Sequence, residues 1–477
     1  MEFIPHSQPR LPGLLVPNTR LPAAPHTDEA ASILKGWRLH LRTWSRGWLW
    51  RMNDDFTYMA NRQLWGGGTT PAGLSVDDAR HHCYIVGKTG SGKSTLLRNM
   101  IIQHIAQGHG VAVIDPHGDL ADSLLDHIPP WRADHLCYFN PGDMEHPASF
   151  NVLAGVTADE RHLLASGIVG AFKNIFPDSW GPRMEYIFHH AIAALAECPN
   201  ATLLGVNRML TDDAYRRWVI RQVTDPFVRD FWEVEFESYD ARFRREAISP
   251  IQNKIGQLLQ SPAIRNILGQ VRSRISIPFI MDNQRIFIAN LSKGKLGHDK
   301  TALLGSLLVS QFQLAAMART NQPEEERRDF FLFVDEFQNF VTEAFASVLS
   351  EARKYRLCLT LAHQFTDQLS LPLRQAVFGN VGTLVSFRVG YLDAHALHHE
   401  FGEGFIPQQF VELGRYETIL RQHTDGQTQV AFRAVSAPPL SLGKGHRNKL
   451  VARSRERFTS PRAGVEEKLE RWLKHCV

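Results

Sequence analysis

Short apolar runs and helical periodicity alternate in two parts of this chain. In the first part, the run "CYIVG" precedes a helix predicted over 93–107, "GVAVIDP" precedes a helix predicted over 119–127, and "HLCYFNP" follows. In the second part, "RIFIANL", "DFFLFVDEF", "LCLTLAHQ" and "VGTLVSFRVG" alternate with helices predicted over 300–318 and 342–354. Continuous apolar runs are typical of strands buried on both faces, and their alternation with helices indicates βαβ units. Both parts therefore predict a parallel-rich sheet.

The chain between about 155 and 275 has a different pattern, because its apolar residues recur every three or four positions. Two examples are Leu164, Ile168, Phe172 and Ile175, and Met184, Ile187, Ala191 and Leu195. That spacing places the side chains on one face of a helix. We therefore expect an α/β core that is interrupted by an inserted all-α domain.

These changes of pattern predict five parts along the chain. An N-terminal arm with a helix covers 1–55, the first part of the core covers 56–154, and the inserted all-α domain covers 155–276. The second part of the core covers 277–440, and a basic tail with a short helix covers 441–477.

The N-terminal part combines two patterns. Residues 1 to about 30 are rich in proline and lack periodicity, which predicts an extended arm. Residues 33–52 predict a basic amphipathic helix. Its apolar positions are Leu34, Trp37, Leu41, Trp44 and Trp48, and its basic positions are Lys35, Arg38, Arg42 and Arg46. Such a helix either docks on its own domain or a neighbouring subunit, or lies on a membrane surface.

Composition narrows the class of protein. The 477 residues are 43% hydrophobic, which is enough for substantial cores in two or three domains. The five cysteines form no Cys-x-x-Cys pair, which argues against a zinc site or a disulfide framework and fits a reducing, cytoplasmic compartment. No apolar run approaches the roughly 18 residues of a membrane span. The net charge of +4 is too small to indicate a nucleic-acid partner by itself.

The segment "GKTGSGKST" carries the pattern G-x-x-x-x-G-K-[ST] between an apolar run and a predicted helix. Its members are Gly87, Lys88, Thr89, Gly90, Ser91, Gly92, Lys93, Ser94 and Thr95. In this context the backbone N–H groups point at phosphate oxygens, Lys93 reaches the β- and γ-phosphates, and the Ser94 hydroxyl holds Mg²⁺. The core is therefore expected to bind nucleotide, with ATP and Mg²⁺ as cofactors.

Polar residues close two of the apolar runs. Asp335 and Glu336 follow Phe330 to Val334, and Gln364 ends "LCLTLAHQ". Ligands bind at the carboxyl ends of parallel strands. Asp335 is therefore expected to hold Mg²⁺ through water, Glu336 to deprotonate the attacking water, and Gln364 to sense hydrolysis. Without the phosphate loop, the acidic pair would indicate only a solvated strand end.

Basic residues form three further clusters. Arg353, Lys354 and Arg356 in "EARKYRL" lie at a predicted helix end, where like charges usually face solvent. Lys293 and Lys295 in "LSKGKLGHDK" are candidates for DNA phosphate contacts, or belong to a plain solvent loop. A third cluster in the tail either contacts DNA or forms a solvated surface. Its residues are Lys444, Arg447, Lys449, Arg453, Arg455, Arg457 and Arg462.

Several motifs in a fixed order carry a resemblance to a known family. They are "IVGKTGSGKST", "VAVIDPHGDL", "SWGPRMEYIF", "NLSKGKLG", "FVDEFQNF", "SEARKYRLCLTLAHQ" and "NVGTLVSFRVG". Together they resemble the conjugative type IV coupling proteins of the FtsK and HerA group, over about residues 80–460. One departure is that membrane-bound coupling proteins open with transmembrane helices, which this sequence does not contain.

The resemblance implies a RecA-like motor in a hexameric ring, with ATP hydrolysed between subunits and DNA threaded through a central pore. By position in the motifs, Lys93 and Ser94 match the phosphate loop, and Asp335 and Glu336 match the second motif. Gln364 matches the sensor. Arg353 matches the arginine finger of the family, and Arg388 is the second choice for that role.

The expected function is therefore an ATP-driven DNA translocase that works as a homo-oligomeric ring. No base-reading module is recognisable, so little sequence specificity is expected. Two alternatives stay open, namely a ring ATPase that exports protein and a nucleotide-gated scaffold for a nuclease or channel. Expected partners are DNA, further copies of the chain, and a relaxase, secretion channel or nuclease. Residues 33–52 would allow a peripheral position at the inner membrane.

Overall fold

The computed structural model describes residues 56–342, 345–424, 426–440 and 446–474. The predicted N-terminal arm and amphipathic helix, residues 1–55, lie outside the described residues, as does Lys444 of the basic tail.

Eleven of the described strands form one sheet, in the order β2-β1-β13-β10-β9-β3-β8-β7-β4-β6-β5, and β11 and β12 form a separate pair. The strands of the first half of the chain are β1 (Phe56–Gln63), β2 (Thr69–Ser75), β3 (Cys83–Val86), β4 (Gly110–Asp115) and β5 (Leu136–Phe139). Those of the second half are β6 (Ile286–Asn290), β7 (Phe330–Asp335), β8 (Leu357–His363), β9 (Thr383–Ser386), β10 (Glu417–Arg421), β11 (His423–Thr424), β12 (Gln427–Thr428) and β13 (Phe432–Ser436).

The strands from β9 to β5 are all parallel, as the apolar runs predict. Every residue of β3, β4, β7 and β8 is buried. Strands covered on both faces need apolar side chains at nearly every position, which explains the continuous runs in the sequence. The carboxyl ends of these strands consequently meet at one edge of the sheet.

The other side of the sheet is antiparallel and was not predicted. β10 pairs with β9 and β13, and β13 pairs with β1, so that residues near position 60 lie beside residues near position 435. β1 also pairs with β2. These pairings join distant parts of the chain, and no local pattern in the sequence specifies them.

Helices connect the strands of the core. They are Val76–Ala79, Lys93–Gln107, Asp119–Leu125, Ile277–Asp282, Lys293–Leu296, His298–Met317, Phe345–Glu351, Leu371–Asn380, Tyr391–Phe401 and Pro407–Val411. His298–Asn321 is long and apolar enough to cross a membrane by length and composition, but 72% of its most apolar window is buried inside the protein. It is thus a core helix that packs against helix Arg161–Ile175.

The segment between β5 and the helix Ile277–Asp282 is helical, as its periodicity predicts. Its α-helices are Arg161–Ile175, Pro182–Glu197, Gly205–Thr211, Asp213–Ile220, Pro226–Asp230, Phe236–Ser238, Ala241–Leu259 and Pro262–Leu268. The apolar positions Met184, Ile187, Ala191 and Leu195 are all buried. These helices share a continuous apolar core with the sheet, and the described residues form one compact unit. The domain boundaries at 155 and 276 therefore stay a prediction.

The basic tail folds back onto the sheet. Its helices are Arg447–Phe458 and Arg462–Lys474. The first lies against the edge strand β5, where the Ser454 hydroxyl accepts a hydrogen bond from the Tyr138 backbone at 2.8 Å. A helix over an edge strand protects it from pairing with other chains.

Ion pairs hold this tail in place. Arg447 pairs with Asp126 at 3.0 Å, Arg453 pairs with Asp134, and Arg455 pairs with Asp143 at 2.7 Å. Part of the positive charge of the tail, which was a candidate for DNA contact, is therefore neutralised by acidic residues of the same chain.

Candidate nucleotide-binding site

The phosphate loop lies between β3 and the helix Lys93–Gln107, in the context that its sequence predicts. Gly90 and Gly92 have positive φ angles of 78° and 127°, in the region that favours glycine. The loop is tied to the neighbouring strands, because Gly87 N donates to the His363 carbonyl at 3.3 Å and Lys88 N donates to the Arg388 carbonyl at 2.8 Å. Its backbone is thus fixed by β8 and β9.

Three predicted residues meet at one carboxylate. Lys93 Nζ lies 3.3 Å from Glu336 Oε1, and Gln364 Nε2 donates to the same oxygen at 3.1 Å. The other oxygen of Glu336 accepts a hydrogen bond from Gln338 Nε2 at 2.9 Å. Glu336 has a φ of 47°, so the chain turns sharply directly after β7. This left-handed turn aims the carboxylate at the phosphate loop.

Asp335 is buried at the end of β7, with 5% of its surface exposed. Burial raises its pKa to about 6, Lys93 opposes the increase, and the charges of Asp115 and Glu336 raise the pKa further. A divalent cation beside this carboxylate would offset the cost of its buried charge. Carboxylate and hydroxyl oxygens are ligands of the kind that Mg²⁺ prefers. Asp335 and Ser94 thus fit the predicted metal role by their chemistry.

Asp115, at the end of β4, was not among the predicted site residues. Its carboxylate accepts hydrogen bonds from the backbone of His117 at 2.8 Å and of Ala121 at 2.9 Å. Burial raises the pKa of Asp115, and these backbone N–H groups lower it. Asp115 therefore holds the loop that brings His117 to the cavity. The sequence pattern could have identified Asp115, because it ends the apolar run "GVAVID" in the same way that Asp335 ends the apolar run of β7.

Arg415 and Tyr416 were also missed. They immediately precede β10 and reach the same cavity as the phosphate loop. They follow no buried parallel strand and carry no recognisable motif. Only the antiparallel pairing of β10 with β9 brings them to the site.

One cavity of about 430 Å³ brings these groups together. Of the predicted residues, those that line it are Lys88, Thr89, Gly90, Gly92, Lys93, Ser94, Thr95, Asp335, Glu336 and Gln364. Gly87 and Ser91 support the loop, since Ser91 Oγ donates to the Lys88 carbonyl at 2.7 Å. Asp115, His117, Asp119, Leu120, Arg415 and Tyr416 complete the lining.

The candidate arginine fingers do not line this cavity. Arg353 lies in a 3₁₀ turn before β8 and contacts His81 Nδ1 at 3.4 Å. Gln364 follows the other end of β8, and the seven residues of that strand separate its two ends by roughly 20 Å. Arg353 is exposed at the opposite edge of the sheet, so any contact with a nucleotide would involve another copy of the chain. Arg388 is exposed after β9.

Lys293 and Lys295 differ in their surroundings. Lys293 Nζ donates to Asn339 Oδ1 at 3.1 Å, and Asn339 Nδ2 donates to the Glu336 carbonyl at 2.7 Å. Burial lowers the pKa of Lys293, and the nearby Glu336 raises it. Lys295 is exposed. Only one of the two predicted DNA contacts is thus linked to the turn that carries Glu336.

Comparisons with known proteins bear on the fold and on the segment that carries the phosphate loop. Residues 63–155 match the family model "Helicase HerA, central domain". The plasmid coupling protein TrwB in complex with ADP and Mg²⁺ superposes with a TM-score of 0.57 at 15% identity, covering 82% of this chain and 96% of that one. TrwB with a non-hydrolysable ATP analogue superposes with a TM-score of 0.56 at 16% identity, covering 81% of this chain and 95% of that one. VirB4 of Thermoanaerobacter pseudethanolicus superposes with a TM-score of 0.53 at 15% identity, covering 80% of this chain and 97% of that one.

A search of curated protein sequences finds no significant match. The structural likeness, at these identities, concerns the fold. That fold is the RecA-like P-loop fold with a large, mostly parallel sheet, and the family match covers the phosphate loop itself. The chain therefore has the RecA-like P-loop fold, and its residues 63–155 are similar to the central domain of HerA helicases.

Proposed function

We propose that this chain is an ATP-driven motor that works as a homo-oligomeric ring, hexameric by analogy with the coupling proteins, and moves DNA through its centre. The observation that carries the proposal is the convergence of Lys93 and Gln364 on Glu336, beside Asp335. These side chains come from three separate elements and meet at the phosphate loop. A cluster of ionisable side chains in a cleft beside a phosphate-binding loop is a candidate site for catalysis.

The chemistry follows from these contacts. ATP would lie with its phosphates on the loop 87–95, whose backbone N–H groups bind the oxygens. Ser94 and Asp335 would hold Mg²⁺, which when bound neutralises charge that develops on the phosphate oxygens. Glu336 accepts a proton from the attacking water, and Gln364 orients that water. Lys93 has two partners in this scheme, because its ammonium group pairs with Glu336 in the absence of nucleotide and with phosphate when ATP is bound.

Self-association is supported by the surface beside the site. A second cavity, of about 660 Å³, adjoins the loop at Lys88 and Thr89. Phe365, Tyr391 and Leu392 line it and are 45%, 63% and 74% exposed. Exposed apolar side chains that line one cavity form a patch of the kind that marks interaction surfaces. A second copy of the chain is the occupant that we propose, because such a copy would also bring an Arg353 from outside to the nucleotide.

DNA is the proposed substrate of the motor, with contacts to its backbone through Lys293 and Lys295. The likeness to TrwB, described as a bacterial conjugative coupling protein, supports this choice. A relaxase, a secretion channel or a nuclease would then be the partner that supplies or receives the DNA. A cytoplasmic position, with residues 33–52 at the inner membrane, belongs to the same proposal.

Protein export by a similar ring ATPase is the second candidate function. Steady-state ATP hydrolysis by the wild-type chain, with DNA or with an unfolded protein added, distinguishes the two. DNA is expected to stimulate turnover. Stimulation by unfolded protein alone would favour export, and slow turnover unaffected by either would favour a nucleotide-gated scaffold. Glu336→Gln provides the background for contaminating ATPases.

A further inference from the structure

The phosphate loop divides the carboxyl edge of the sheet into two sides. β8, β7 and β4 lie on one side of β3 and carry the groups for hydrolysis. β9 and β10 lie on the other side. Because β10 is antiparallel to β9, its amino end is at the same edge as the loop. Arg415 and Tyr416 therefore face the site from the side opposite Glu336.

Tyr416 is fixed in an unusual backbone conformation. Its φ is 69°, which an aromatic residue rarely adopts without support. Its N–H donates to the Ser91 carbonyl at 2.8 Å, and its carbonyl accepts from Ser436 N at 2.8 Å. A methyl group at Gly92 would lie 2.9 Å from Tyr416 Cδ1, so the ring packs directly on the phosphate loop. Strained residues held by such bonds concentrate at ligand sites.

Arg415 lies on this ring. Its guanidinium carbon is 4.9 Å from the centre of the Tyr416 ring. The side chain is exposed and lines the cavity of the phosphate loop. Among the described residues it forms no ion pair and donates no side-chain hydrogen bond to another residue. A guanidinium group stacks by its flat face on aromatic rings and on nucleic-acid bases.

We propose that Arg415, supported by Tyr416, forms the wall on which the base of the bound nucleotide stacks. The inference rests on the proposed function, in which the loop binds ATP. A triphosphate whose γ-phosphate faces Glu336 and Gln364 leaves the loop toward the opposite side, where Arg415 stands. A flat cation suits a purine base, because it combines stacking with attraction to the π system.

Calorimetric titration of the full chain with Mg-ATP and with Mg-tripolyphosphate tests this wall. Tripolyphosphate shares the phosphates but lacks the base. Arg415→Ala is expected to weaken ATP binding about tenfold, the scale of one base stack, and to leave tripolyphosphate binding unchanged. Arg415→Lys should fail to restore ATP binding, because an ammonium group has no flat face. Tyr416→Phe should retain it.

Arg62→Ala is the matched control. Arg62 is an exposed arginine over another ring of the antiparallel strands, 4.6 Å from the centre of Phe432, and it does not line the cavity. Equal loss of ATP and tripolyphosphate binding in Arg415→Ala would overturn the inference and identify a phosphate contact. Unchanged ATP binding would also overturn it. A wild-type chain that binds neither ligand would instead contradict the proposed function.

Discussion

The Lys93 ammonium group and the Glu336 carboxylate form a buried ion pair, with 3.3 Å between Nζ and Oε1. The two residues come from the helix after β3 and the turn after β7. Gln364 donates to the same carboxylate oxygen. The residues proposed to bind phosphate, accept the proton and sense hydrolysis thus meet at one carboxylate, so replacing Lys93 or Gln364 removes a contact of Glu336.

Glu336→Gln should reduce ATP turnover about 10²-fold or more, because an amide cannot accept the proton of the attacking water. ATP binding should persist, since the phosphate loop is unchanged. Steady-state turnover and equilibrium binding measure the two effects separately. Glu403→Gln, at an exposed position, serves as the control. Wild-type turnover in Glu336→Gln would place the base elsewhere.

The ion pair should also be visible in stability. Lys93→Ala leaves Glu336 buried without its cation, and Glu336→Gln removes the charge. The effects of the two changes on the free energy of unfolding should therefore be non-additive by about 0.5–3 kcal/mol. Urea unfolding of both single variants and the double variant completes the cycle. Strict additivity would mean that the two side chains do not interact in solution.

Lys293 and Lys295 should respond differently to replacement. Lys295→Ala removes an exposed charge, so only DNA-stimulated turnover should fall. Lys293→Ala also removes the hydrogen bond to Asn339, which holds the Glu336 carbonyl, so basal turnover should fall as well. ATPase assays with and without DNA compare the two variants. An identical response of both would contradict the link through Asn339.

Arg353 should act between subunits. Arg353→Ala and Lys93→Ala are each expected to inactivate a ring. In mixed rings an intact Arg353 can face an intact Lys93, which restores some composite sites, so ATPase activity should peak at intermediate mixing ratios. A finger contributes about 10³-fold or more where it is known. No recovery in particles shown to be mixed would argue that Arg353 only packs.

His82 predicts a dependence of stability on pH. Burial lowers its pKa from 6.5 to about 4, and its Nδ1 accepts a hydrogen bond from Leu359 N at 3.2 Å. The unfolded chain therefore takes up this proton first, and stability is lost as pH falls from about 6.5 toward 4. The loss amounts to about 3 kcal/mol at most.

His82→Asn should lose less stability over this pH range, because asparagine tolerates the positive φ of 65° and does not titrate. Urea unfolding at pH 7 and at pH 4.5 measures the difference. His446→Asn, at an exposed position, is the control. The same pH dependence in wild type and His82→Asn would show that another group causes it.

The sequence by itself determined the parallel core and the position of the candidate site residues at its edge. Residues 83–95 specify a strand, a loop and a helix within one short segment, and Phe330 to Glu336 specify a buried strand with acids at its end. Such features depend on local spacing and residue type, which the sequence displays directly. The same reasoning would have found Asp115.

Tertiary structure alone decided the rest. β1 lies beside β13, and Arg415 reaches the phosphate loop, through pairings between residues far apart in the chain. The basic tail forms ion pairs with acids that the sequence places over 300 positions away, as between Arg455 and Asp143. Arg353 likewise lies at the edge away from the cavity. Neither a strand's neighbours nor a charge's partner is encoded by periodicity, because both depend on which distant segments pack together.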